Sequence, residues 1–117
     1  RLKRQKGFSL VEGAGGLLSP VTDTKLNADL FADLELPAVL VTAAYLGSIS
    51  HTLSTLEAAA LRQIPIKAII VSKPNEQFGE TSEFSEELGR WTDKPILLMD
   101  HESTPAPALF ELLAQDK

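Results

Sequence analysis

The sequence contains no cysteine and no long apolar segment, and both absences exclude whole classes of protein. Without cysteine there is no disulfide, no thiolate nucleophile and no zinc site with cysteine ligands. No apolar run approaches the roughly 20 residues that a membrane-spanning helix needs, and no signal-peptide pattern is present. We therefore expect a cytoplasmic protein that does not associate with a membrane.

Positive charge is scarce beyond the first six residues. The formal net charge is −5, and four of the eleven basic residues lie within residues 1–6. The remaining seven are outnumbered by sixteen acidic residues. Because such a domain cannot neutralise many phosphates, no nucleic-acid partner is expected. We interpret the basic start as the solvated end of a helix rather than as a nucleic-acid-binding arm.

The phosphate-loop pattern Gly-x-x-x-x-Gly-Lys-Ser/Thr is also missing, because no glycine in the chain is followed by lysine. The 117 residues, with 44% hydrophobic residues and a mean hydropathy of +0.02, suit one globular domain spanning residues 1–117. The chain opens on Arg1 rather than Met, directly before an apolar run. We expect this domain to be a fragment of a larger one.

Short apolar runs alternate with segments of helical periodicity. The first two runs are continuous, which is typical of parallel strands covered on both faces. The strands are predicted at residues 8–11, 38–43, 66–71 and 96–99. The helices are predicted at residues 28–34 with Asn27 as the cap, from Ser48, around Phe84, Leu88 and Trp91, and from Thr104. This order predicts an α/β fold, with a parallel sheet and helices on both faces.

The first strand ends in a carboxylate and a run of small residues, Glu12, Gly13, Ala14, Gly15 and Gly16. Backbone of this kind leaves N–H groups unpaired and lets a ligand approach the main chain. Glu12 at its edge is a candidate magnesium ligand. A tight turn with a solvated Glu12 explains the same residues, and the residues themselves leave both interpretations open.

A second candidate site is the start of the helix near Ser48. Its free N–H groups, together with Gly47, Ser48 and Ser50, suit a carboxylate. Plain capping by the two serines is the alternative. In a parallel sheet this turn, the turn at residues 12–16 and the turn at residues 72–75 all fall at the carboxyl edge, where ligands bind.

Three segments carry a resemblance to a known family. Val-Glu-Gly-Ala-Gly-Gly-Leu at residues 11–17, Leu-Pro-Ala-Val-Leu-Val at 36–41 and Leu-Gly-Ser-Ile-Ser-His-Thr-Leu at 46–53 resemble dethiobiotin synthetase. This is the ATP-dependent enzyme of biotin synthesis, and it has a P-loop NTPase-like fold. The likeness covers residues 8 to about 74.

The resemblance implies an activity. The family closes a cyclic urea on 7,8-diaminononanoate: carbon dioxide forms a carbamate with one amine, ATP phosphorylates it, and the second amine displaces phosphate. It implies that Glu12 holds Mg²⁺ and that the backbone of residues 13–16 lies against substrate and the transferring phosphoryl group, with Glu12 and Gly15 closest to the chemistry. Gly47, Ser48 and Ser50 would receive the substrate carboxylate across a homodimer interface.

Some features depart from the family. The phosphate loop that precedes the first strand in the family is not in this chain, so the chain is predicted to lack that amino-terminal unit. Ser72 and Lys73 stand where an asparagine usually reads adenine, and we expect them near the base. A truncated, noncatalytic relative that serves as a dimerising module is the alternative function. A third hypothesis, a different P-loop ligase or a partitioning-type ATPase, is disfavoured by the segment at 46–53.

Overall fold

The computed structural model describes residues 9–73 and 81–100 of the chain. Within them the chain forms α1 (Asn27–Leu34), β1 (Ala38–Ala43), α2 (Ser48–Leu61), β2 (Ile66–Lys73), α3 (Thr81–Gly89) and β3 (Ile96–Asp100). The strands pair in parallel in the order β1-β2-β3. The predicted α/β class with a parallel sheet is confirmed. β2 continues two residues beyond the predicted end of its strand.

β2 is the central strand, and its side chains are buried on both faces. Ala68, Ile69, Ile70 and Val71 are all buried, as expected for a strand that is paired on both sides. β1 differs, because among the described strands it pairs only with β2. Its Val41 is 61% exposed. The expectation that residues 38–43 are covered on both faces is therefore wrong for this position.

The prediction of a first strand at residues 8–11 is also wrong for the part that the structure describes. Residues 9–11 form no strand, and Leu10 is exposed. Phe8 lies outside the described residues. A parallel strand exists only through hydrogen bonds to a neighbour, and none of the three described strands pairs with residues 9–11. Apolar composition therefore misled the prediction where no described strand offers a partner.

α1 begins one residue earlier than predicted, and Asn27 is not its cap. The N-cap position is Leu26, whose N–H donates to the Asp29 carboxylate at 2.8 Å. Asn27 is the first helical residue, and its side chain is turned away to a neighbouring loop. Only residues 35–37 separate α1 from β1. Ala28, in the first turn of α1, is buried in a cluster with Ala59 near the end of α2 and Ile66 at the start of β2.

The helices pack on the sheet through small and aliphatic side chains. One core cluster joins Ala28 and Phe31 of α1, Ala59 of α2, and Ala38 and Leu40 of β1. α2 and α3 contact each other, so these two helices share a face of the sheet. None of the described helices is long and apolar enough to cross a membrane.

The end of α3 differs from the prediction. The helix ends at Gly89, so Trp91 lies beyond it and is exposed, whereas Leu88 is fully buried. The indole Nε1 of Trp91 donates to the Glu87 carboxylate at 3.0 Å, which satisfies its polar atom at the surface. The helix predicted from Thr104 lies outside the described residues.

Candidate functional site

The glycine-rich loop adopts a conformation that requires glycine at two adjacent positions. Gly15 has φ +87° and Gly16 has φ +107°, both in the left-handed region that side chains disfavour. The loop is closed by a hydrogen bond from the Ser19 N–H to the Gly16 carbonyl at 3.2 Å. A Cβ atom on Gly15 would lie 2.7 Å from the Ser19 Oγ, whereas one on Gly16 would meet nothing within 4 Å. The loop is thus tight at Gly15 and open at Gly16.

Asn27 fastens this loop to α1. Its Nδ2 donates to the carbonyl of Ala14 at 2.8 Å and to the carbonyl of Gly16 at 2.7 Å. The backbone N–H of Asn27 donates to the Ser19 carbonyl at 2.9 Å. Sequence reasoning missed this role because an asparagine before a helix is the usual signal of a cap. Only the tertiary contact shows that the amide serves the loop.

Glu12, at the entrance to the loop, is exposed. No ion pair or hydrogen bond joins its side chain to any other residue in the described part of the chain. The described residues also hold no cluster of three or more histidine, aspartate or glutamate side chains suited to a metal. A single exposed carboxylate still fits Mg²⁺, which usually takes one or two protein carboxylates and completes its shell with water and phosphate oxygens.

The start of α2 is built around Gly47 and Ser48. Gly47 has φ +88°, which turns the chain from β1 into the helix. Ser48 is 2% exposed; its Oγ accepts from the Tyr45 N–H at 3.2 Å, and its own N–H donates to the Tyr45 carbonyl at 3.0 Å. Ser48 therefore serves mainly as a structural residue of this turn. The N–H groups of Ile49 and Ser50 are left as first-turn donors without a helical partner.

Four exposed residues, Tyr45, Leu46, Ser50 and His51, complete the surface of this turn. The Tyr45 hydroxyl lies 2.9 Å from Nδ1 of His51, and the two rings are tilted with centroids 5.6 Å apart. Leu46 is 99% exposed. Ser50 is also exposed. The helix start is therefore accessible and flanked by an aromatic pair and an uncovered leucine.

Ser72 and Lys73 lie within β2 rather than in a turn after it. Ser72 pairs with Ala43 of β1 on one side and Met99 of β3 on the other. It stands at the carboxyl end of the central strand, half-buried. Lys73 is the last residue of β2, and its side chain lies outside the described residues.

The topology brings two of the candidate segments, the start of α2 and the end of β2, to one edge of the sheet. The Ala43–Ser72 pair joins the carboxyl ends of β1 and β2, and β1 leads directly into the start of α2. The loop at residues 12–16 is held to the start of α1 by its bonds to Asn27, and its place at the same edge stays a prediction. In parallel α/β sheets this edge is where ligands bind. The site residues themselves remain predictions.

Comparison with known proteins identifies what this arrangement resembles. Residues 1–103 match the AAA domain family. The chain is 49% identical over 70 residues to the ATP-dependent dethiobiotin synthetase BioD of Caulobacter vibrioides, covering 60% of this chain and 32% of that protein. It is 43% identical over 82 residues to the enzyme of the same name from Phenylobacterium zucineum, covering 67% of this chain and 35% of that protein. It is 48% identical over 73 residues to the enzyme of the same name from Chlorobaculum tepidum, covering 62% of this chain and 30% of that protein.

The chain therefore spans about a third of the length of these curated relatives. The resemblance to dethiobiotin synthetase drawn from the sequence is confirmed, as is the P-loop NTPase-like fold class.

Proposed function

The chain belongs to the AAA domain family, and we propose that the protein containing it is a ligase of biotin synthesis, which converts 7,8-diaminononanoate and carbon dioxide to dethiobiotin with ATP and Mg²⁺. The observation that carries the proposal is the exposed Glu12 beside a loop in which Gly15 and Gly16 both have left-handed backbone conformations. The relatives named dethiobiotin synthetase share up to half of their aligned residues with this chain.

Glu12 and the loop would work on the phosphoryl group together. When bound through Glu12, Mg²⁺ would supply positive charge that offsets the charge of the phosphates. The backbone of Gly13, Ala14 and Gly15 would position the transferring group, and Gly16 would contact the substrate. Phosphoryl transfer depends on such positioning and charge stabilisation more than on covalent help from the protein.

The start of α2 would bind the substrate carboxylate of a neighbouring subunit. The free N–H groups of Ile49 and Ser50 and the positive end of the helix dipole favour an anion. The backbone of Gly47 and Ser48 shapes the turn that presents these groups. Leu46, which is uncovered next to this site, supports a homodimer because a second subunit would bury it.

The carboxyl end of β2 would lie near the nucleotide base. Ser72 offers a hydroxyl and Lys73 a positive charge, in place of the amide that reads adenine in the resembling family. A hydroxyl rotates freely and donates and accepts through one atom, whereas an amide presents a donor and an acceptor side by side in one plane, so a hydroxyl specifies a base less strictly. We therefore propose that ATP is the phosphoryl donor and that other nucleoside triphosphates compete with it more effectively than in the relatives.

The test is turnover by the full-length protein. We expect ADP release that requires 7,8-diaminononanoate, bicarbonate as the source of carbon dioxide, and Mg²⁺, with dethiobiotin detected by mass spectrometry. Omission of the diamine is the control for plain ATP hydrolysis. If the protein forms dimers and releases no ADP under any of these conditions, it is the noncatalytic dimerising relative and the ligase proposal is wrong.

A further inference from the structure

We infer that Asn27 is a positioning residue, which orients two peptide groups of the glycine loop toward the phosphoryl group. The inference rests on the proposed function, because it assigns a purpose to the same loop. Asn27 is 4% exposed, so it cannot itself reach a ligand in solution. Its effect on the reaction must pass through the backbone that it holds.

The two hydrogen bonds of the Asn27 amide determine which way the loop N–H groups point. Nδ2 donates to the carbonyls of Ala14 and Gly16, at 2.8 and 2.7 Å. In a trans peptide the C=O and the following N–H point in opposite directions. The N–H groups of Gly15 and Leu17 are therefore directed away from α1. Neither N–H donates to another backbone group in the part of the chain that the structure describes.

The site leaves little freedom for this arrangement to change. A Cβ atom on Gly13 would lie 3.0 Å from the Asn27 Cγ and Oδ1, so the loop backbone already touches the amide group. The Ala28 N–H donates to the Leu17 carbonyl at 2.8 Å, which adds a second tie between α1 and the loop. Donors fixed in place before the reaction stabilise developing charge without reorganisation, which is the usual origin of large electrostatic effects.

Few side chains can donate two hydrogen bonds from one atom, as Nδ2 of Asn27 does to the carbonyls of Ala14 and Gly16. A primary amide supplies two N–H bonds from one nitrogen, which matches two acceptors that converge on one point. Leucine has a similar shape and no donor, so it would fill the space, leave the Ala14 carbonyl without this partner and leave the Gly16 carbonyl with the Ser19 N–H alone. Alanine would remove the donor and the packing together. The two replacements therefore separate the hydrogen bonds from the bulk of the side chain.

The experiment compares Asn27→Leu and Asn27→Ala with wild type in the full-length protein. We expect both variants to lower kcat by about 10- to 100-fold, because the donors act on charge that develops in the transition state. We expect the KM for 7,8-diaminononanoate to change by a smaller factor than kcat, because the proposed role of the Gly15 and Leu17 donors is at the phosphoryl group and that of the start of α2 is at the substrate carboxylate. Asp29→Ala is the matched control, because it removes a contact at the same end of α1 and leaves the loop untouched.

A second measurement does not depend on turnover. NMR order parameters of the Gly15 and Gly16 amides should fall in both Asn27 variants and stay at the wild-type value in Asp29→Ala. Wild-type kcat in Asn27→Leu, or an equal loss of kcat in Asp29→Ala, would overturn the inference and leave the proposed function standing. Absence of ligase turnover in wild type would overturn the proposed function, and this inference with it.

Discussion

The hydroxyl oxygens of Thr42 and Thr52 lie 2.8 Å apart, and this hydrogen bond links β1 to α2. Thr52 is buried, so its hydroxyl has little access to water. The contact fixes the start of α2 against the carboxyl end of β1, where the proposed carboxylate site lies. Replacing either threonine leaves the other hydroxyl without this partner.

We therefore expect Thr52→Val to lower the free energy of unfolding by about 1–2 kcal/mol. The double variant Thr42→Val/Thr52→Val should lower the free energy of unfolding by less than the sum of the two single changes, because neither hydroxyl of the pair is left without its partner. Urea denaturation of the full-length variants measures both values. Thr55→Val is the control: its exposed hydroxyl donates to the His51 carbonyl of its own helix, and its loss should lower the free energy of unfolding by less. If the effects of the two single changes add up to that of the double variant, the two hydroxyls are not coupled.

Replacing Glu12 should affect catalysis and leave stability nearly unchanged. Because its side chain is exposed and is not paired with another described residue, Glu12→Gln should change the free energy of unfolding by less than about 0.5 kcal/mol. Ligase turnover should fall by about 100-fold or more, since the proposed magnesium ligand is lost. Steady-state kinetics with a magnesium titration measures the effect, and Glu57→Gln on the exposed face of α2 is the control. Normal turnover at saturating magnesium would exclude Glu12 as the metal ligand.

The two left-handed glycines should respond differently to the same substitution. Gly16→Ala adds a Cβ atom in open space, so it should cost only the conformational term of about 1–2 kcal/mol. Gly15→Ala adds a contact of 2.7 Å to the Ser19 Oγ and should cost more. Thermal unfolding compares the two variants.

Adding Ser19→Ala to Gly15→Ala should recover part of the difference, because the crowding oxygen is removed. Ser19→Ala by itself is the control for the loss of the hydroxyl. If Gly15→Ala and Gly16→Ala prove equally stable, the loop differs from the conformation described above.

Replacing Ser48 should affect stability, whereas replacing Ser50 should affect substrate binding. Ser48→Ala leaves the Tyr45 N–H without its side-chain acceptor and should lower the free energy of unfolding by about 1 kcal/mol. Ser50→Ala should leave stability unchanged and raise the KM for 7,8-diaminononanoate by about tenfold, the usual effect of losing a hydrogen bond to a charged group. Urea denaturation and steady-state kinetics measure the two effects. An unchanged KM in Ser50→Ala would exclude the Ser50 hydroxyl as a ligand of the carboxylate and leave only its backbone N–H in the proposed site.

The sequence predicted best where a segment satisfies its own hydrogen bonds or is buried on all sides. α2 begins at Ser48 as predicted, because the turn at Gly47 and the apolar stripe that follows are both local signals. β2 was also predicted, since its continuous run of aliphatic side chains suits a central parallel strand. The strand predicted at residues 8–11 is absent from its described part, residues 9–11, because pairing depends on a neighbour that composition does not reveal.

Residue types and spacing by themselves determined the α/β class, the candidate glycine loop and the resemblance to a ligase family, because these depend on local pattern. Only the tertiary structure decided what the polar side chains do. It turned Asn27 from a helix cap into the donor that holds Ala14 and Gly16, and it used both polar groups of Ser48 to close the turn with Tyr45. The physical reason is clearest for Asn27: its hydrogen bonds join residues 11 and 13 positions apart in the chain, so they exist only after packing has brought those residues together.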